Sequence, residues 1–197
     1  MMIRWVIFGC GMMWGWTTIT LADAKSAEEA EYERLVSEMT KFSKTQSWSG
    51  VNRRFLEMEK LGLEIEVNEL LMAAQASQGL GDIYEAKERV TRALLIKEKK
   101  STRKWYAQLN NNYGQVTLIA RNKSARSLEK LQITMDPVQS QSIVFAQASL
   151  ESKGEFRGLL PLGEYNFGGQ VFVVKPDMDI HLEISPRLKR KIENEKN

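Results

Sequence analysis

Four pairs of residues in this chain stand 35 positions apart: Trp48 and Ile83, Val51 and Ala86, Phe55 and Val90, Met58 and Ala93. Within each set the members recur every three or four residues, the spacing that aligns side chains along one face of an α-helix. Two helices with matching apolar stripes at a constant offset indicate one supersecondary unit used twice. Such a unit cannot bury its apolar face alone, so its copies must stack.

The flanking sequence supplies each stripe with a partner helix. Leu35, Val36, Met39 and Phe42 place a first helix in the stretch that begins near Ser26. "SWSG" interrupts it, with Ser47 a candidate N-cap for the second helix, and Gly62 fits the end of that helix. A third helix spans about Val67 to Gln78, with Leu70, Ala73, Ala74 and Ser77 on one side, and Asp82 caps a fourth. The pairs are therefore antiparallel hairpins. The far end of the stack still needs cover, and a short helix from Ser101 to about Asn111 can give it through Trp105 and Leu109.

The stretch "NELLMAAQASQGLGDIYEAKERVTRALLI" resembles the tetratricopeptide family, whose period is about 34 residues. Ala74, Ala86 and Ala93 match its small residues, and Gly81-Asp82 match its inter-helix turn. Small residues suit those positions because adjacent helices cross closely there. The first unit departs from the family, with Val51 and Met58 where it prefers alanine. The resemblance implies a groove that binds extended or helical peptide segments. Its positions fall on Asn68, Leu71, Gln75 and Gln78 in the second unit, and on Glu33, Val36, Thr40 and Ser43 in the first. Repeats that clamp a terminal carboxylate need Lys and Arg at these places. Asn and Gln instead suit a peptide backbone, to which an amide can both donate and accept. The competing reading is a merely solvated helix face.

After "NNNYGQ" the period changes. Val116, Leu118 and Ala120 alternate with Thr117, Ile119 and Arg121, and Leu131 and Ile133 continue a second candidate strand. Past Pro137, "VQSQSIVFAQASLES" returns to helical spacing, with Val138, Ile143 or Val144, Ala148 and Leu150 as its apolar members. Strands follow near 155–159, 163–167 and 170–174, and "DIHLEI" gives a last one with Ile180, Leu182 and Ile184 on one side. The expected fold class is α+β: N-terminal helical hairpins with a capping helix over 25–111, then a small antiparallel β domain with one inserted helix over 112–186, and a charged tail over 187–197. "LLPLGEYNF" resembles the proline-glycine turn of PEGA-like and carboxypeptidase-regulatory-like β domains. Pro161 presets its backbone angle, Gly163 tolerates a positive one, and "NFGGQVF" reads as a hairpin. That resemblance implies a spacer, an adhesive surface or a glycan-contacting accessory.

The chain opens "MMIRWVIFGCGMMWGWTTITLADAKSAEEA". Arg4, an apolar run and Ala22-Asp23-Ala24 form the grammar of a secretory signal cleaved after Ala24. Cys10 in "IFGC" resembles a lipoprotein box, but the five residues between Arg4 and Cys10 are too few for an ordinary apolar region. The expected location is periplasmic or secreted, with no integral membrane segment and no cysteine left after cleavage. The slight excess of 28 basic over 25 acidic residues, combined with export, argues against a nucleic-acid partner.

The sequence offers no local chemistry. His181 is the one histidine and alternates out of an apolar strand; no ligand spacing surrounds it. "DMD" around Met178 is too little for calcium, and no nucleophile elbow or phosphate loop occurs. Glutamates interrupt both basic runs, "KEKKSTRK" and "PRLKRKIENEKN", as in solvated segments. No cofactor, metal or catalytic residue is expected. The first expectation is a non-enzymatic scaffold that holds a protein segment of the cell envelope. One rival is a glycan or peptidoglycan accessory stacking sugars on Trp105, Tyr113 and Tyr165. The other is a hydrolase whose paired carboxylates meet only in three dimensions.

Overall fold

The computed structural model describes residues 21–132 and 136–185, with side chains described from residue 27 onward. Cys10 and the apolar run of the expected leader, Ile133 and the tail from 187 lie outside the described residues. Five helices come first: α1 (Leu21–Lys44), α2 (Trp48–Lys60), α3 (Val67–Leu80), α4 (Ile83–Ile96) and α5 (Lys100–Asn112). Each packs on the next, and α1 also touches α3. Among the described residues no helix is long and apolar enough to cross a membrane.

The stripes with constant offset are the packed faces. Val51, Phe55 and Met58 on α2 and Ile83, Ala86, Val90 and Ala93 on α4 are all buried. Trp48 is half-buried and lies over Gly79, where a β-carbon would overlap its indole. The turns follow local rules. Gly81 ends α3 in the left-handed region, and the Asp82 carboxylate accepts from the Glu85 N–H to start α4. Ser47 occupies the N-cap position of α2 without a side-chain capping bond.

One buried residue breaks the apolar pattern. Arg89 on α4 is 1% exposed. Its guanidinium donates to Asn52 Oδ1 at 2.8 Å, to the Ala73 carbonyl and Ser77 Oγ at 2.9 Å, and to Glu85 Oε1 at 3.0 Å. It also lies 4.4 Å from the centre of the Phe55 ring. Burial pulls the guanidinium's pKa down, and Glu85 opposes that pull. One planar fork thus ties α4 to both α2 and α3, a task for which arginine geometry is suited.

The second half begins without a linker. β1 (Tyr113–Ala120) starts at the residue after α5. Then come a short 3-10 turn (Lys123–Ala125), β2 (Leu128–Lys130), α6 (Pro137–Lys153), β3 (Glu155–Pro161), β4 (Gly163–Phe167), β5 (Gln170–Val174) and β6 (Asp179–Ile184). β1 lies between β3, antiparallel to it, and β6, parallel to it; the second sheet is antiparallel throughout, in the order β2-β4-β5. Val116, Leu118, Phe156 and Leu160 of the first sheet meet Tyr165, Phe167, Phe172 and Val174 of the second in one core.

Two expectations are corrected here. The second strand is Leu128–Lys130, not a strand through Leu131; Leu128 is buried and pairs with Phe167, whereas Leu131 is exposed. On α6, Leu150 is buried and Ile143 packs against the core as expected, but the other buried positions are the small residues Ser142 and Ala146. Ala148 and Val144 point outward. The "LLPLGEY" turn joins strands of different sheets, and β4 pairs with β2 and β5. The Gly168-Gly169 hairpin forms as expected, with φ of 53° and 94°.

The two halves share a third cluster. Ala74, Ile83, Val90 and Leu109 from the helices pack with Tyr113 and Leu159 from the outward face of the first sheet. α6 also lies against the C-terminal end of α3.

Candidate functional site

Where the third cluster reaches the surface it leaves a cleft of about 510 Å³. α3 supplies Gln75 and Gln78, and α5 supplies Trp105, Gln108, Leu109 and Asn112. The α5 residues fall at i, i+3, i+4 and i+7, so they form a single face. Tyr113 of β1 and Asp136, Val138 and Gln139 at the start of α6 close the far wall.

Helix packing sets this geometry. α3 and α5 both pack on α4, and the Trp105–Gln78 hydrogen bond joins them across one surface. α6 approaches from the sheet side because Gly81 allows it: a β-carbon there would lie 2.9 Å from Phe145 Cβ and closer still to the Gln141 carbonyl oxygen. The docking of α6 brings its N-terminus to the open end between α3 and α5.

The lining is dominated by primary amides, those of Gln75, Gln78, Gln108, Asn112 and Gln139. The Trp105 indole N–H donates to Gln78 Oε1 at 3.1 Å, which fixes that amide with its NH2 end as the remaining donor. Among the described residues, Asp136 is the only lining residue with a formal charge at neutral pH. Its Oδ1 accepts from the N–H groups of Val138 and Gln139 at 2.8 and 3.3 Å, capping α6. Tyr113 is nearly buried. Burial, and secondarily the Asp136 carboxylate, pushes its pKa up to about 12, so it stays a neutral hydroxyl. Amides neither gain nor lose a charge near neutral pH. The cleft can therefore recognise paired donors and acceptors.

The expected groove residues separate. Gln75 and Gln78 come together in this cleft. Asn68 lines another pocket, of about 430 Å³, with Glu64, Glu66, Lys97 and Lys99 among its neighbours. Leu71 and Val36 are half-buried and pack on the core of the first three helices. The Thr40 hydroxyl donates to the Val36 carbonyl at 2.9 Å. Ser43 is half-buried and Glu33 exposed on α1. Of the three aromatics proposed as sugar platforms, only Trp105 offers partial access. Tyr165 is fully buried, stacked 5.5 Å from Phe172, with its hydroxyl donating to the Pro161 carbonyl at 2.8 Å.

Asp82 and Glu155 share a smaller pocket of about 260 Å³ with Lys153 and Arg157, but Asp82 there caps α4. Among the described residues no group of three or more His, Cys, Asp or Glu could hold a metal.

Sequence reasoning missed Gln108, Asn112, Asp136 and Gln139. The spacing from Trp105 through Leu109 could have revealed the α5 pair. The α6 pair depends on tertiary docking and leaves no local signal. No protein-family model, curated protein or solved structure matches the chain.

Proposed function

We propose that this protein is an exported, non-enzymatic adaptor whose helices, tetratricopeptide-like in register and turn chemistry, hold an extended segment of a protein partner in the cell envelope. The β half, PEGA-like in its proline-glycine turn, closes one end of the binding surface. The observation that carries the reading is the cleft lining: five amides and an indole, arranged on two neighbouring helices and a helix start. An extended peptide presents alternating N–H and C=O groups, and amides can satisfy both without forcing a side-chain preference. The space suits a few residues rather than a whole helix.

A second reading is favoured by Trp105. An indole beside amides also suits a sugar ring, which stacks by its apolar face and hydrogen-bonds at its rim. The distinguishing experiment titrates the protein with a panel of blocked hexapeptides and, separately, with oligosaccharides. It is read at the Trp105 indole N–H resonance, assigned by Trp105→Phe. Saturable shifts with peptides support the adaptor. Shifts with oligosaccharides alone transfer the cleft to the glycan reading, and no shift with either ligand class overturns both.

A further inference from the structure

Among the described residues, the cleft is lined by no lysine or arginine, and its one formal charge is the Asp136 carboxylate. Tyr113 is also a wall of a second pocket, of about 210 Å³, lined by Asp177 and Asp179 against the single cation Lys87. Among the described residues, the two pockets that share Tyr113 are thus lined by three carboxylates and one ammonium.

We propose that the cleft selects a segment bearing a cationic side chain, lysine or arginine, whose charge sits by the Asp136 carboxylate while its backbone engages the amides. This rests on the peptide reading above and adds a charge rule to it. Two features of the lining support that rule. The indole face of Trp105 attracts cations as well as covering the aliphatic stem of such a side chain. The capping bonds of Asp136 use Oδ1, and one carboxylate can accept further bonds through its second oxygen. An acidic segment would meet Asp136 with no cation among the described lining residues to offset it, which is how an interface excludes wrong partners.

The test uses three hexapeptides, acetylated and amidated at their ends, alanine-based with a central lysine, alanine or glutamate. Binding is followed at the Trp105 indole and the side-chain amides of Gln75 and Gln108. The lysine peptide should bind about fivefold tighter than the alanine peptide, the scale of one partly solvated charge pair, and the glutamate peptide weakest. Asp136→Asn keeps the helix cap, since asparagine caps as well as aspartate. It should abolish the lysine preference, so that the lysine and alanine peptides bind the variant equally. Raising the salt should weaken only the lysine peptide. Equal binding of all three peptides, or a lysine preference that survives Asp136→Asn, overturns the charge rule and leaves the peptide reading standing. No binding of any peptide overturns both.

Discussion

Arg89 gives the sharpest test of how the helices are held. Truncation to alanine removes a large, wholly buried side chain and the hub of four hydrogen bonds. Glu85 is partly exposed and can turn to solvent, and Ser77 can bond back to the Ala73 carbonyl within its own helix. The stranded group is chiefly Asn52 on α2. The void costs about 2–3 kcal/mol and the broken bonds about 1–2 more, so Arg89→Ala should lose about 3–5 kcal/mol. Arg89→Met refills the volume and should lose only about 1–2 kcal/mol, because mainly the hydrogen bonds go. Arg92 sits three residues further along the same helix, in a partly exposed pair with Glu59. Arg92→Ala should cost under about 1 kcal/mol. In urea, with a slope of about 3 kcal/mol/M, Arg89→Ala should lower the unfolding midpoint by about 1–2 M. A drop no larger than that of Arg92→Ala would refute the view that one arginine joins the two hairpins.

Three further outcomes are expected. Gly81→Ala should destabilise by about 2–4 kcal/mol, since a left-handed residue (φ 88°) would also collide with α6, whereas Gly62→Ala (φ 70°, open space) should cost only about 1–2; equal thermal shifts would deny that α6 docks on α3. Tyr165→Phe leaves the Pro161 carbonyl without its donor and should cost about 1–2 kcal/mol in denaturant titrations. Burial first, and Glu66 less so, holds the Glu69 carboxyl above its ordinary pKa, and its Oε2 lacks a hydrogen-bond partner. The folded state therefore binds that proton more tightly, and the associated stability fades as pH rises through the raised value. Glu69→Gln should flatten the decline in melting temperature as pH rises above the ordinary carboxylate range, and an unchanged slope would count against this assignment.

The helical half was legible because its packing obeys one period. Every residue of the α4 stripe, and Leu70, Ala73, Ala74 and Ser77 on α3, is buried as the spacing requires. Arg89 lay in plain view on that stripe, three residues after Ala86, yet a charge reads as surface until its partners are seen. The β4–β5 hairpin was legible because two glycines fix its turn. β2 was not, and α6 was so only in part. A three-residue strand has no period; on α6 hydrophobicity marks Leu150 and Ile143, which do pack inward, but passes over Ser142 and Ala146, which are buried because the helix lies close to its neighbours. The cleft was half legible: Gln75 and Gln78 follow from position on α3, while Asp136 and Gln139 arrive only when α6 docks.

The central claim is that the α3–α5–α6 junction holds a peptide segment through its amides. The most direct measurement compares the affinity of the lysine hexapeptide for the protein and for a Gln75→Ala/Gln108→Ala variant with unchanged melting temperature. The account predicts at least about tenfold weaker binding in the variant, as expected when two interfacial hydrogen bonds are lost. Equal affinity, or resonance shifts that map to a surface away from Trp105, would contradict it.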